Sequence, residues 1–136
     1  MNKIAAIRPR QLPSSLRELY LIGNQLEEVD LKELESLEVL WISNNKLRSI
    51  GLQGNERLRD LQIQDNSLVV KHLPPSVQQL GAIFKQIADY DFGQLAHLEK
   101  LTIDGKEGLK WKDIRNLSSK VQLEDAFKYP YKVVKE

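Results

Sequence analysis

Two aromatic residues stand 21 positions apart, each inside an alternating apolar run: Leu19-Tyr20-Leu21 and Leu40-Trp41-Ile42. Alternation has the period of a strand, so Leu19, Leu21, Leu40 and Ile42 turn to one face and Tyr20 and Trp41 to the other. If the leucine face is core, the aromatic face meets solvent. The chemistry open to it is then binding, because Trp and Tyr dominate protein-binding hot spots, where truncation costs about 2 kcal/mol or more. Ile22 and Val39 fall beside them on the same face, and Gln62 and Gln64 follow one 21-residue step on. These six residues form the candidate protein-binding set, with Asp60 and Asp65 as a polar rim. A plainer reading stays open: Tyr20 and Trp41 stack as a cross-strand pair, contributing about 0.2–1 kcal/mol to a sheet. Gly81, level with Gln62, leaves a gap in the same row, as close ligand approach or a degenerate repeat would.

Bond-making chemistry finds little to work with. There is no cysteine, which removes disulfides, thiolate metal sites and cysteine nucleophiles together. His72 and His97 fall in connectors without a nearby nucleophile in a recognisable arrangement. Asp89-Tyr90-Asp91 offers two carboxylates but no third ligand at metal-loop spacing. H-E-x-x-H, G-x-S-x-G and a Gly-rich phosphate loop do not occur. No enzyme activity, metal or cofactor is expected.

The formal net charge is +1, from 20 basic and 19 acidic residues. That is no electrostatic footprint for nucleic acid, which calls for a basic stripe. The charge is unevenly spread: residues 16–105 carry 9 basic and 14 acidic side chains, and both ends are basic. No apolar run approaches the ~18 residues of a membrane span. The first ten residues lack a signal-peptide apolar core. With the absence of cysteine, this points to a cytoplasmic location.

The elements that must position the aromatic pair repeat along the chain. Leu16 to Leu26, Leu37 to Leu47 and Leu58 to Leu68 place leucine or isoleucine at the first, fourth, sixth and eleventh positions, and Asn24, Asn45 and Asn66 hold the ninth. Starts fall at 16, 37 and 58. Val77 to Ile87 and Leu98 to Leu109 continue the apolar pattern, with Lys85 and Lys106 where the asparagine stood. One such unit cannot bury its own leucines; stacked units join them into one core. The asparagine sits where the chain leaves the strand, and its amide can bond backbone groups that a buried turn would otherwise strand. Leu31, Leu34 and Leu37 step by three, which suits 3₁₀ or short turns on the outer side.

Residues 1–15 read as an N-terminal cap, with Ile4, Ile7 and Leu12 over the first repeat. Five repeats occupy residues 16–109, starting near 16, 37, 58, 77 and 98, and residues 110–136 read as a C-terminal cap. That cap holds a candidate edge strand at 121–123, a short turn carrying Trp111, Ile114 and Leu117, and Phe127, Tyr129 and Tyr131 packed over the end beside Pro130. Lys132 to Glu136 are expected to fray.

LxxLxLxxNxL, three times in register, resembles the leucine-rich-repeat family over roughly residues 12–109. The 21-residue length is similar to the short repeats of intracellular regulatory subunits. Leu12-Pro13-Ser14-Ser15-Leu16 and Leu73-Pro74-Pro75-Ser76-Val77 are similar to bacterial repeats. The resemblance implies an α/β-type repeat solenoid, curved and right-handed, with a short parallel sheet on the concave face and an irregular or 3₁₀ convex side. It implies protein recognition and no common enzymatic activity. The expected function is thus a non-catalytic module that binds a protein partner through the concave face. The partner could be a second copy docking through the aromatic patch. The alternative is a structural or capping part of a larger assembly, contacting through its ends.

Overall fold

The computed structural model describes residues 3, 5–8, 11–127 and 131–136. Strands follow the chain as β1 (Ala6–Ile7), β2 (Glu18–Tyr20), β3 (Glu28–Val29), β4 (Val39–Trp41), β5 (Asp60–Gln62), β6 (Gln79–Ile83), β7 (Lys100–Asp104), β8 (Gln122–Asp125) and β9 (Lys132–Val134). Seven of them form one sheet in the order β2-β4-β5-β6-β7-β8-β9. All its pairings are parallel except the last, where β9 runs antiparallel to β8. The strands are short, but the backbone ladder runs past them: Leu21 N–H donates to Trp41 O at 2.8 Å and Asn44 N–H to Gln64 O at 2.8 Å. The chain is a solenoid with its sheet on the concave side.

Register follows the leucines. Leu19, Leu40, Leu61, Leu80, Leu101 and Leu123 pair in one continuous row. This row and the Ile42 and Ile63 positions are buried in a single core cluster. Because side chains alternate, a one-residue slip would turn that whole row outward, and so the apolar pattern pins the register. On the convex side Leu34 N–H bonds Leu31 O and Leu37 N–H bonds Leu34 O. These three-residue turns match the spacing of the leucines, each of which is buried.

Buried amides close the turns. Asn45 Nδ2 donates to the carbonyls of Leu21 and Ile42 at 2.9 and 3.0 Å, and its Oδ1 accepts from Leu26 N–H at 3.0 Å. Asn66 repeats this one coil on, donating to Ile42 and Ile63 and accepting from Leu47 N–H. Each amide therefore ties its own strand end to the previous coil. Among the described residues Asn24 makes only the local bond, to Leu21 O, and its Oδ1 is buried without a partner. Nineteen residues earlier, where a full coil would supply the donor, stands Ala5 of the N-terminal segment.

In the fourth repeat Lys85 stands at the asparagine's position, and its neighbour takes over the buried amide's place. A single helical turn, α1 (Phe84–Ile87), leaves Lys85 exposed and carries Gln86 inward to 0% exposure. Gln86 Nε2 donates to Ile63 O at 2.9 Å and Asn66 O at 3.1 Å, while Oε1 accepts from Ile83 N–H at 2.8 Å. The extra methylene lets a glutamine one position later do the asparagine's work. A further amide, Asn55, lies on the convex side and bonds Leu31 O and Leu34 O at 2.8 and 3.1 Å.

The ends differ from expectation in part. At the N-terminus, β1 pairs with β3 in a small convex sheet, and Ile7 and Leu12 pack partly buried against the core. Ile4 lies outside the described residues, as do Tyr129 and Pro130. The tail expected to fray instead forms β9, with Leu123 opposite Val134 and Glu124 opposite Val133. A parallel sheet ending at β8 would present a bare row of peptide groups, and the returning strand pairs them. Phe127 and Tyr131, expected to pack over the end, are exposed.

Two carboxylates brace the outside. Glu38 links Arg17 and Arg59 along the strand-entry rim, at 2.6 and 3.4 Å. Hydrogen bonding from Arg17 holds its carboxyl below the usual range. Asp91 caps the 3₁₀ turn Phe92–Gln94 through Gly93 N–H and accepts from Asn116 Nδ2, which ties two connectors together. The Asn116 bond, then the Gly93 bond, lower its pKa too.

We expect Gln86→Ala to destabilise the protein by about 1–3 kcal/mol, since it strands two carbonyls and an N–H. Lys85→Ala should stay within about 0.5 kcal/mol. Urea unfolding of both decides the matter, and equal losses would contradict the assignment. A depressed carboxylate value stabilises the fold above the ordinary carboxylate range, and that contribution is lost as pH falls through the depressed value. The Tm should therefore drop as pH is lowered through that window, with a shallower drop in a Glu38→Gln/Asp91→Asn variant. Parallel curves for the two proteins would show that neither carboxylate matters.

Candidate protein-binding face

The inward rows of β2, β4 and β5 leave the outward rows facing the concavity. In register these are Glu18-Val39-Asp60 and Tyr20-Trp41-Gln62. The Tyr20 and Trp41 rings meet edge to face, with centroids 5.1 Å apart and planes at 84°. That is the favoured geometry for two ring quadrupoles. Each polar handle finds a carboxylate: Tyr20 OH donates to Glu18 Oε1 at 2.9 Å, and Trp41 Nε1–H donates to Asp60 Oδ2 at 3.1 Å. The Glu18 bond raises the Tyr20 phenol above its ordinary value. The pair is held in place, yet Tyr20 remains 52% exposed and Ile22 45%.

Val39 does not belong to the exposed set. It is only 5% exposed, although it lies on the concave side and outside the main core cluster. Glu18 and Asp60 flank it in register, and Tyr20 and Trp41 bend across to bond those same carboxylates. A short side chain ringed by four longer ones is covered.

Gln62 and Gln64 extend the network. Gln62 Nε2 donates to Asp60 Oδ1 at 3.0 Å, and Gln64 Nε2 donates to Gln62 Oε1 at 2.9 Å. Gln64 Oε1 is buried and without a partner. The gap expected at Gly81 is filled: a Cβ there would collide with the amide ends of Gln62 and Gln64. Glycine lets the two glutamines lie across the neighbouring strand.

These side chains line a concave groove of about 790 Å³. Ile22, Trp41, Gln62 and Gln64 are in it, with Asp60 and Asp65. Tyr20 stands at its end against Trp41. Tyr131, Asp104 and Glu124 close the far side. Sequence reasoning missed Tyr131 there, because it enters through an antiparallel return that no repeat announces. Asp104 and Glu124 had no sequence feature to single them out, and Glu124 lies beyond the edge strand expected at 121–123.

His72 and His97 are exposed in connectors. Among the described residues no group of three or more His, Cys, Asp or Glu is placed to hold a metal, and no helix is long and apolar enough to cross a membrane.

Residues 14–55 match the family model for leucine-rich repeats, in two copies. No curated protein and no solved structure matches the chain significantly. The match spans the first two repeats, and the same leucine row and amide ladder run on beyond it, to β8 and to Gln86. Residues 14–55 thus carry leucine-rich repeats, and the solenoid continues their pattern to β8.

Proposed function

We propose that this protein is a non-catalytic binding module that engages a protein partner through its concave face. Leucine-rich-repeat domains generally mediate protein–protein interaction, through the extended concave surface that stacking creates. The observation that carries the reading here is the Tyr20–Trp41 pair, locked edge to face on the open side of the sheet at the mouth of a groove. A rigid, partly exposed aromatic pair offers large contact area at little further ordering cost. Tyr20 and Trp41 are the anchors, and Ile22, Gln62 and Gln64 surround them. Val39 supports the anchors from beneath rather than touching the partner.

A second reading has its own observation. Trp111, Val133 and Val134 line an apolar groove of about 850 Å³ at the C-terminal end, with Val133 exposed. Contact through that end would make the chain a structural part of a larger assembly.

Affinity capture separates the two. We expect wild type and Trp111→Ala to retain the same partner, and Tyr20→Ala/Trp41→Ala to lose it. The loss should be about 30-fold or more in affinity, from about 2 kcal/mol of hot-spot energy. Circular dichroism must show all three folded. Retention by the concave double variant and loss by Trp111→Ala would transfer the site to the end. Sedimentation of wild type alone shows whether the partner is a second copy.

A further inference from the structure

The concave groove has a charge and a hydrogen-bonding bias of its own. Among the described residues lining it, Asp60, Asp65, Asp104 and Glu124 are acidic, and Lys100 is the one cation. Lys100 is engaged with Glu124 at 3.4 Å. Glu18 adds a fifth carboxylate beside Tyr20. The chain as a whole is +1, so this face departs from the rest in sign. A concave low-dielectric wall concentrates such a field.

Several donors at the groove are already engaged. Trp41 Nε1–H and Gln62 Nε2 point to Asp60, Gln64 Nε2 to Gln62, and Thr102 Oγ1 and Gln122 Nε2 to Glu124. Acceptors remain. A carboxylate has about four acceptor sites, and Asp60 receives two of these side-chain bonds. Gln64 Oε1 receives none. The acidic excess and the remaining carboxylate acceptor sites favour an occupant that brings donors and positive charge, and beside Asp60 it meets the Trp41 indole. A planar cation that donates several hydrogen bonds while stacking on an aromatic face is guanidinium.

We propose that the groove takes an extended polypeptide segment bearing arginine, with a guanidinium beside Trp41 and Asp60 and the segment running on past Asp65 and Asp104. This rests on the concave face being the binding face. Arginine suits the site better than lysine, since its fork of donors matches several acceptors at once. An acidic segment or a nucleic acid would meet like charge along the whole groove.

The test is selection of a phage-displayed random dodecapeptide library on the immobilised full chain. Selected peptides are then measured against wild type, Trp41→Ala and Asp65→Asn/Asp104→Asn. The charge variant keeps the backbone. Asp65 has a positive φ of 56°, which asparagine also adopts. Asp104 Oδ1 accepts the Gly105 N–H, and the amide oxygen of an asparagine at that position accepts it equally. We expect arginine-enriched peptides that bind the charge variant about tenfold more weakly, weaken further with salt, and lose Trp41→Ala. Neutral or acidic peptides, or equal binding to the charge variant, would overturn the proposal. If those peptides still need Trp41, the concave reading stands and only the arginine assignment falls. If they ignore Trp41 as well, both fall. Failure to select any peptide above background also counts against the arginine groove. Should Trp41→Ala not fold, Ile22→Ser, at an exposed groove position, takes its place.

Discussion

Every coil of this solenoid must turn away from its strand inside the core, where backbone groups have no water. That constraint governs the rest. Burying a peptide group without a partner costs about 1–3 kcal/mol, and each turn would strand several. Asn45 and Asn66 remove the difficulty by bridging to the preceding coil, with both amide atoms engaged. The bridges fix the spacing of consecutive strands, and the spacing fixes which outward side chains become neighbours. Tyr20 meets Trp41, and Trp41 reaches Asp60, because their strands are locked one residue for one.

The inner face thereby inherits a polar order from the core beneath it. Gln64, Gln62, Asp60 and Trp41 form one run of side-chain hydrogen bonds across the concavity. Its members orient one another, so the groove is preorganised before any partner arrives. Preorganisation matters for a small site, because ordering flexible side chains on association costs about 0.5–1.5 kcal/mol each. The one buried acceptor that the run leaves unmatched, Gln64 Oε1, lies within this arrangement.

Much of this was legible in the sequence, for a physical reason. Leucine burial and strand alternation are local rules repeated at fixed spacing, so Leu19, Leu40 and Leu61 announce both the strands and their register. The outward rows followed from the same rule. What escaped depends on reach and on neighbours. Gln86 was hidden because its function needs one more methylene and a helical turn, which shifts it off the expected position now held by Lys85. Val39 was misplaced because burial on a concave face is decided by how Tyr20 and Trp41 lean. Gly81 read as a gap, yet its missing side chain makes room for two glutamines from the next strand. The strand Lys132–Val134 followed no repeat, since it answers the open edge of β8 rather than any periodicity.

The chain has two tryptophans, one on each face in question. Trp41 Nε1–H points to Asp60 in the groove, and Trp111 Nε1–H points to Leu117 O at the C-terminal end. Their indole resonances in a ¹⁵N-correlated NMR spectrum report the two sites separately. Titration with the captured partner should shift or broaden the Trp41 indole signal and leave that of Trp111 in place. A change confined to Trp111 would contradict the account and move recognition to the end of the solenoid.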